Sequence, residues 1–298
     1  MKKTDTVDFL NSKFVFSSLE NARDLVARSD VYSRLLTRFD LEAKVKNIKA
    51  LIEQDYLQNA QKYLYSWHDF EIDYLTQLIK ITEQKIKKKK YKFDLPDVIF
   101  LIKSAMHEEG GANGFTRANY IVFNLNSISL HLFEHELFHI ISRFNESKIG
   151  EAYEILGFQK CNEVEIPSPF IDFKITNPDA PFNNYYIQLK HRGSDIEALM
   201  ILYSNTEYSG GGFFSYLNKG LLVLEDEKGI KKASVANGKL NILDYDEVEG
   251  LFSQIGKNTG YNIHQEELSA DHFTLCLNDV ENLPDQHLVD KLNKLLQK

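Results

Sequence analysis

At 298 residues and 43% apolar content, the chain is long enough for one large or two small domains around a sizeable core, which excludes a disordered protein. Its 43 acidic against 35 basic residues give a formal charge of -8, a balance that argues against nucleic acid as a partner. Two cysteines, Cys161 and Cys276, stand in no CxxC arrangement, so neither a disulfide framework nor a cysteine zinc site is expected and a reducing compartment is compatible.

The opening MKKTDTVDFLNSKFVF holds no uninterrupted apolar stretch of signal-peptide length, and no later window approaches a membrane span. The expected setting is the cytoplasm, or the exterior reached without a cleavable signal peptide, with no membrane partner. From 17 to 90 there is no proline, and apolar residues recur at three and four spacing, as in Leu35, Leu36 and Phe39, then Ile48, Leu51 and Ile52. Residues 1–92 are therefore expected to form a helical N-terminal region. Ser17 with Glu20 reads as a capping box, and 57–90, with the only tryptophan, Trp67, as one long or two consecutive helices. Lys87 to Lys90 close that pattern as a solvated helix end.

After Pro96 the texture changes. Residues 98–102 and 120–123 are short β-branched and aromatic runs, expected as two strands joined by a mobile loop containing Gly110, Gly111 and Gly114. A central helix is expected over 127–143 and a second through 152–156, before Gly157. Residues 165–245 read as a β-rich insertion, with strand-like pieces at 185–189 and 221–224 and turn material at Asn177-Pro178 and Gly210 to Gly212. Helical patterns return at 265–280 and 288–295. The fold class expected is α+β.

The chemistry concentrates on the central helix. At 100° per residue, His131, His135 and His139 fall within about 40° of one line. Leu130, Leu132, Phe133, Leu137, Phe138, Ile140 and Ile141 cover most of the remaining surface, so the helix is expected to be buried and its polar stripe must find partners inside the protein. The segment HELFH is an HExxH motif: His135 and His139, one turn apart, can both reach a metal at about 2.0–2.1 Å, with Glu136 pointing beside them toward a water. A third protein ligand is needed. Ser142 and Asn145 occupy the positions that the metzincin pattern gives to glycine and a third histidine, which points to a distant glutamate. In HQEELSADHF, Glu267 and Asp271 form an ExxxD pair whose one-turn spacing lets the glutamate bind metal while the aspartate holds a ligand histidine in the right tautomer.

HELFH followed by ELSAD resembles the gluzincin group of HExxH zinc peptidases, the thermolysin-like branch, though with a long spacer. The resemblance implies a zincin-like metallohydrolase domain at 93–298, Zn2+ as cofactor, and His135, His139 and Glu267 as ligands. It further implies that Asp271 orients His139 or His135, that Glu136 is the general base, and that the substrate is a peptide or protein. By the same likeness, the strand at 120–123 is expected to offer its edge to an extended peptide. For the donor to the developing oxyanion, Tyr185 and Tyr186, which follow the turn ITNPDAPFNN, are candidates beside His191, His264 and His272.

One rival lies inside the same nine residues, because HLFEH is a literal HxxEH, the inverted motif with Glu134 as base. HExxH is preferred, since the ExxxD pair completes its site and Glu134 lies on the opposite flank of the histidine stripe from Glu136. Two other functions compete. One is a different metal-dependent amidase, whose deformylase-like version requires a cysteine ligand; the other is a non-catalytic, zinc-stabilised binding protein.

Overall fold

The computed structural model describes residues 5–298. The described chain opens on strands, where a helical region is expected. Val7, Phe9, Phe14 and Phe16 recur at period two, and this places all four on the buried face of a hairpin made of β1 (Thr6–Phe9) and β2 (Ser12–Phe16). The helical spacing begins only at residue 17, so the expectation for 1–92 fails at its start. Helices α1 (Leu19–Val26), α2 (Val31–Arg34), α3 (Arg38–Val45) and α4 (Glu53–Ala60) follow. Ser18, rather than Ser17, caps α1 by accepting the Asn21 N–H at 3.2 Å.

Residues 57–90 contain two helices, not one. Between α4 and α5 (Asp69–Lys89), the short strand β3 (Leu64–Tyr65) pairs with the next long strand, and the Trp67 indole N–H donates to the Leu101 carbonyl at 3.1 Å. These tertiary bonds hold the chain extended where helical propensity alone would continue. At the far end of α5, Lys87 and Lys88 are exposed in the last turn, where the helix dipole favours cations. The lysine run is a helix end, as expected.

The first sheet has the order β1-β2-β4-β6-β5, with β3 also pairing with β4. Here β4 (Val98–Ser104) runs parallel to both β2 and β6 (Tyr120–Asn124), and β5 (Gly114–Arg117) pairs antiparallel with β6. Two expectations are corrected. The glycine-containing connection carries a strand of its own, β5, and β6 is interior to the sheet, so the edge on that side belongs to β5. The short β5 carries a glycine at its start, and its strand character depends on pairing with β6 rather than on propensity.

Helix α6 (Leu130–Phe144) begins at Ser129, whose hydroxyl accepts the Leu132 N–H at 3.2 Å, and it lies against β5 on one side. Helix α7 (Glu146–Ile155) follows directly. The second sheet is antiparallel, with order β11-β10-β9-β8-β7, formed by β7 (Phe158–Lys160), β8 (Tyr185–His191), β9 (Ser194–Tyr203), β10 (Asn218–Glu227) and β11 (Ile230–Ala233). The small strands β12 (Val235–Ala236) and β13 (Lys239–Leu240) pair with each other, and β14 (Ile242–Leu243) pairs with β10. The expected β-rich insertion is thus real but starts earlier than 165, because β7 belongs to it.

Helices α8 (Leu251–Ile255), α9 (Gln265–Leu277) and α10 (Gln286–Gln297) complete the chain. One hydrophobic cluster joins Phe9 and Phe14 of the hairpin, Leu75 and Ile79 of α5, Phe133 and Leu137 of α6, Ile187 and Met200 of the second sheet, and Phe273 and Leu292 of the last helices. Both sides of residue 92 therefore share a core. The architecture is α+β, and among the described residues no helix is long and apolar enough to cross a membrane.

Candidate metal centre

Helices α6 and α9 pack against each other deep in the molecule, and nearly every residue of α9 is buried. Buried polar side chains on two such helices must satisfy one another. They do so in a regular way. His135 brings Nδ1 to 3.0 Å from Asp271 Oδ1, and His139 brings Nδ1 to 2.7 Å from Glu266 Oε1. Each carboxylate holds an Nδ1–H, so each imidazole is set to offer its Nε2 lone pair in the same direction.

Those two directions meet at Glu267. Its Oε2 lies 3.0 Å from His135 Nε2 and 3.6 Å from His139 Nε2. Two donors bound at about 2.1 Å to one cation at a tetrahedral angle stand about 3.4 Å apart, so the observed pair of separations brackets that of a cation site. His139 Nε2 is buried and has no hydrogen-bond partner, which is what a lone pair kept for a metal looks like. Two imidazoles and one carboxylate are also the donor set that suits zinc while leaving a fourth position. The residues fit the ion.

The carboxylates in turn are held. Asp271 accepts from the Thr259 hydroxyl, and Glu266 accepts from Ser142 Oγ at 2.6 Å and from the Tyr153 hydroxyl. Burial opposes charge on His135, yet the hydrogen bonds to Asp271 and Glu267 outweigh it and push the imidazole up to about 10. Burial likewise opposes ionisation of Glu267, but the His139 and His135 rings hold its carboxyl well below the usual range.

Glu136, 3% exposed, sits beside His139 with Oε2 accepting from the Thr116 hydroxyl of β5 at 2.8 Å. Burial pushes its carboxyl up, against the pull of His139 and His135. Gly114 explains how β5 comes so near: a Cβ there would stand 2.8 Å from Glu136 Oε1 and 3.2 Å from Glu136 Cγ. Gly114→Ala is therefore expected to displace the Glu136 side chain without unfolding the sheet. Its circular dichroism spectrum and its metal content, read by elemental analysis, should both stay at the wild-type values.

The other sequence candidates fall elsewhere. Glu134, the base of the inverted motif, points away and is paired with Lys85 Nζ at 2.7 Å and with Asn278 Nδ2 at 2.7 Å. His131 alone of these stays beside the cluster: it is exposed, with Nε2 3.8 Å from Asp271 Oδ1, and with His135 and Asp271 it forms a second group close enough to hold a cation. Tyr185 is packed edge-on to Tyr153, and the Tyr186 hydroxyl donates to Gln159 on the neighbouring strand, so neither reaches the histidine cluster. Strand alternation decides this: as consecutive residues of β8 they face opposite sides of the second sheet, Tyr185 joining the main core and Tyr186 a separate cluster around Leu199 and Leu222. His264 caps α9 by accepting the Glu266 N–H, His272 Nδ1 bonds the Leu268 carbonyl, and His191 lies at the turn between β8 and β9. Cys276 donates to the Val289 carbonyl, and neither cysteine takes part in a metal-compatible group among the described residues. A deformylase-like cysteine ligand is not on offer.

Sequence reasoning missed four residues at the centre, among them Thr116, whose hydroxyl holds Glu136. Glu266 stands next to Glu267 and serves the second histidine; the need of His139 for its own carboxylate was the available signal. Tyr261, half-exposed, places its ring 5.9 Å from that of His135, and the Glu267 charge together with burial pushes its hydroxyl far up. Asp179 brings a carboxylate oxygen within 4.8 Å of both Glu136 and a His139 ring nitrogen. No family model, no curated protein and no solved structure matches the chain.

Proposed function

We propose that this protein is a zinc-dependent hydrolase of amide bonds, a metallopeptidase with a zincin-like site acting on peptides or proteins. One observation carries the reading: the convergence of His135 Nε2, His139 Nε2 and Glu267 Oε2, with the unpartnered His139 nitrogen among them and Glu136 alongside. His135, His139 and Glu267 would hold the ion, and Asp271 and Glu266 would fix the two imidazoles. When bound, zinc supplies Lewis acidity that polarises a carbonyl and acidifies a water.

Glu136 acts as general base. Its carboxylate, fixed by Thr116 and raised by burial, takes the proton of the attacking water and returns it to the leaving amine. Tyr261, at the exposed side of His135, is the donor best placed for the developing oxyanion, because its hydroxyl stays protonated beside so much negative charge.

Metal analysis of the reconstituted protein tests the reading. The wild type should hold close to one zinc per chain, His135→Ala and Glu267→Ala should lose it, and His131→Ala and Glu134→Gln should keep it. Screening a peptide library with and without a chelator then asks for activity. A wild type that retains no zinc after reconstitution would sink the proposal, and loss of zinc with His131→Ala would move the site to the inverted motif.

A further inference from the structure

The segment ITNPDAP, which precedes β8, crosses the front of the metal centre. It is anchored at one end where the Thr176 N–H donates to Asp40 Oδ2 at 3.1 Å and Thr176 Oγ1 to the Leu35 carbonyl at 3.1 Å. At the other end, Arg143 Nη2 donates to the carbonyls of Pro178 at 3.3 Å and Asp179 at 3.1 Å. Between the anchors, Asn177 Nδ2 donates to Glu267 Oε1 at 2.6 Å, the carboxylate oxygen that does not face the histidines.

Asp179 goes further in. Its Oδ1 accepts the Thr116 N–H at 2.6 Å, and its own N–H donates to Asn177 Oδ1 at 3.0 Å. A carboxylate oxygen of Asp179 lies within 4.8 Å of Glu136 and of His139, the residue whose Nε2 has no partner. The same contact takes the sheet edge. The N–H and C=O of Thr116 point outward from β5, where an extended substrate would pair, but Asp179 holds the first and Arg143 Nη2 the second at 2.6 Å. Glu136, His139 and Glu267 are 3%, 0% and 2% exposed, so a polypeptide cannot reach them in this arrangement.

We propose that this segment is an internal plug of the metal centre, in which the Asp179 carboxylate is a fourth protein ligand for the cation and the resting chain is a latent hydrolase. The inference rests on the metal reading above. The plug occupies the three places that catalysis requires free: the strand edge, the fourth position of the ion and the space beside Glu136. Displacing Asn177 to Asp179 frees all three together, because the Asp179 backbone N–H donates to Asn177 Oδ1 and ties the two residues into one turn.

Cobalt(II) in the full chain, titrated with acetohydroxamate and followed by its visible absorption, tests this without an activity assay. Asp179→Asn keeps an oxygen for the Thr116 N–H, and so guards the fold, while removing the charge; Asp179→Ala removes both. Both variants are expected to bind acetohydroxamate about 100-fold more tightly than the wild type, the penalty for a competent state populated at about 1%. Cobalt bound by all three proteins with equal hydroxamate affinity would overturn the plug and leave the metal centre standing. A wild type that binds no cobalt would overturn the metal reading and the plug with it.

Discussion

Replacing Glu136 by glutamine is expected to lower kcat/KM for the proposed amide hydrolysis by about 10²–10⁴-fold, the range that a positioned general base contributes. The substitution keeps the shape of a side chain that is almost wholly buried, and a glutamine oxygen can still accept the Thr116 hydroxyl, so the fold should persist. What disappears is a carboxylate able to take a proton and give it back. Metal content should remain that of the wild type, since the converging atoms come from His135, His139 and Glu267. The comparison is made in the wild type and again in the Asp179→Asn background, where the proposed plug is weakened. Activity within threefold of the parent in both backgrounds would remove Glu136 from the chemistry.

What was legible in the sequence was mostly what depends on one turn of helix. HExxH on α6 and ExxxD on α9 are spacings of four residues, which fix side-chain direction before any tertiary packing is known. The structure assigns Asp271 to His135, a choice the spacing left open. Neighbouring positions on a helix differ by 100°, so Glu266 meets His139 at Nδ1 while Glu267 faces the Nε2 atoms of both rings, and a search for a single third ligand passes over the first of them.

Asp179, Thr116 and Tyr261 had no local signature. Each reaches the centre from a turn or short strand whose path is set by pairing elsewhere: β5 by β6, and the segment before β8 by Asp40 and Arg143. The tyrosines of β8 were misplaced for the complementary reason. Period two says that alternate residues share a face, but not which sheet that strand will join. The opening hairpin was readable in principle, since Val7, Phe9, Phe14 and Phe16 carry its alternation, and four-residue strands are easily passed over beside a long helical run.

Away from the metal centre, Lys44→Met is expected to destabilise the protein by about 3–5 kcal/mol, the cost of leaving a buried carboxylate without its cation. Lys44 of α3 and Glu109 pair at 1% and 3% exposure, and Glu109 also accepts the hydroxyls of Tyr32 at 2.8 Å and Tyr56 at 2.5 Å. The Lys44 ammonium also stands 4.7 Å from the centroid of the Phe213 ring, so the pair ties α2, α3 and α4 to the turn before β5 and to the connection between β9 and β10. Phe213 in turn presses on Gly110, whose φ of +68° and missing Cβ permit the contact. Methionine fills much of the lysine's volume, so the loss reports charge rather than a cavity. A double variant, Lys44→Met with Glu109→Gln, removes both charges while the amide oxygen still accepts from the tyrosines, and it should regain most of the lost stability. Urea unfolding of the four corners of this cycle measures the coupling. A single-variant loss below about 1 kcal/mol, the scale of an exposed pair, would show that water reaches Glu109 when Lys44 is gone, and that the helical layer is held by its apolar contacts alone.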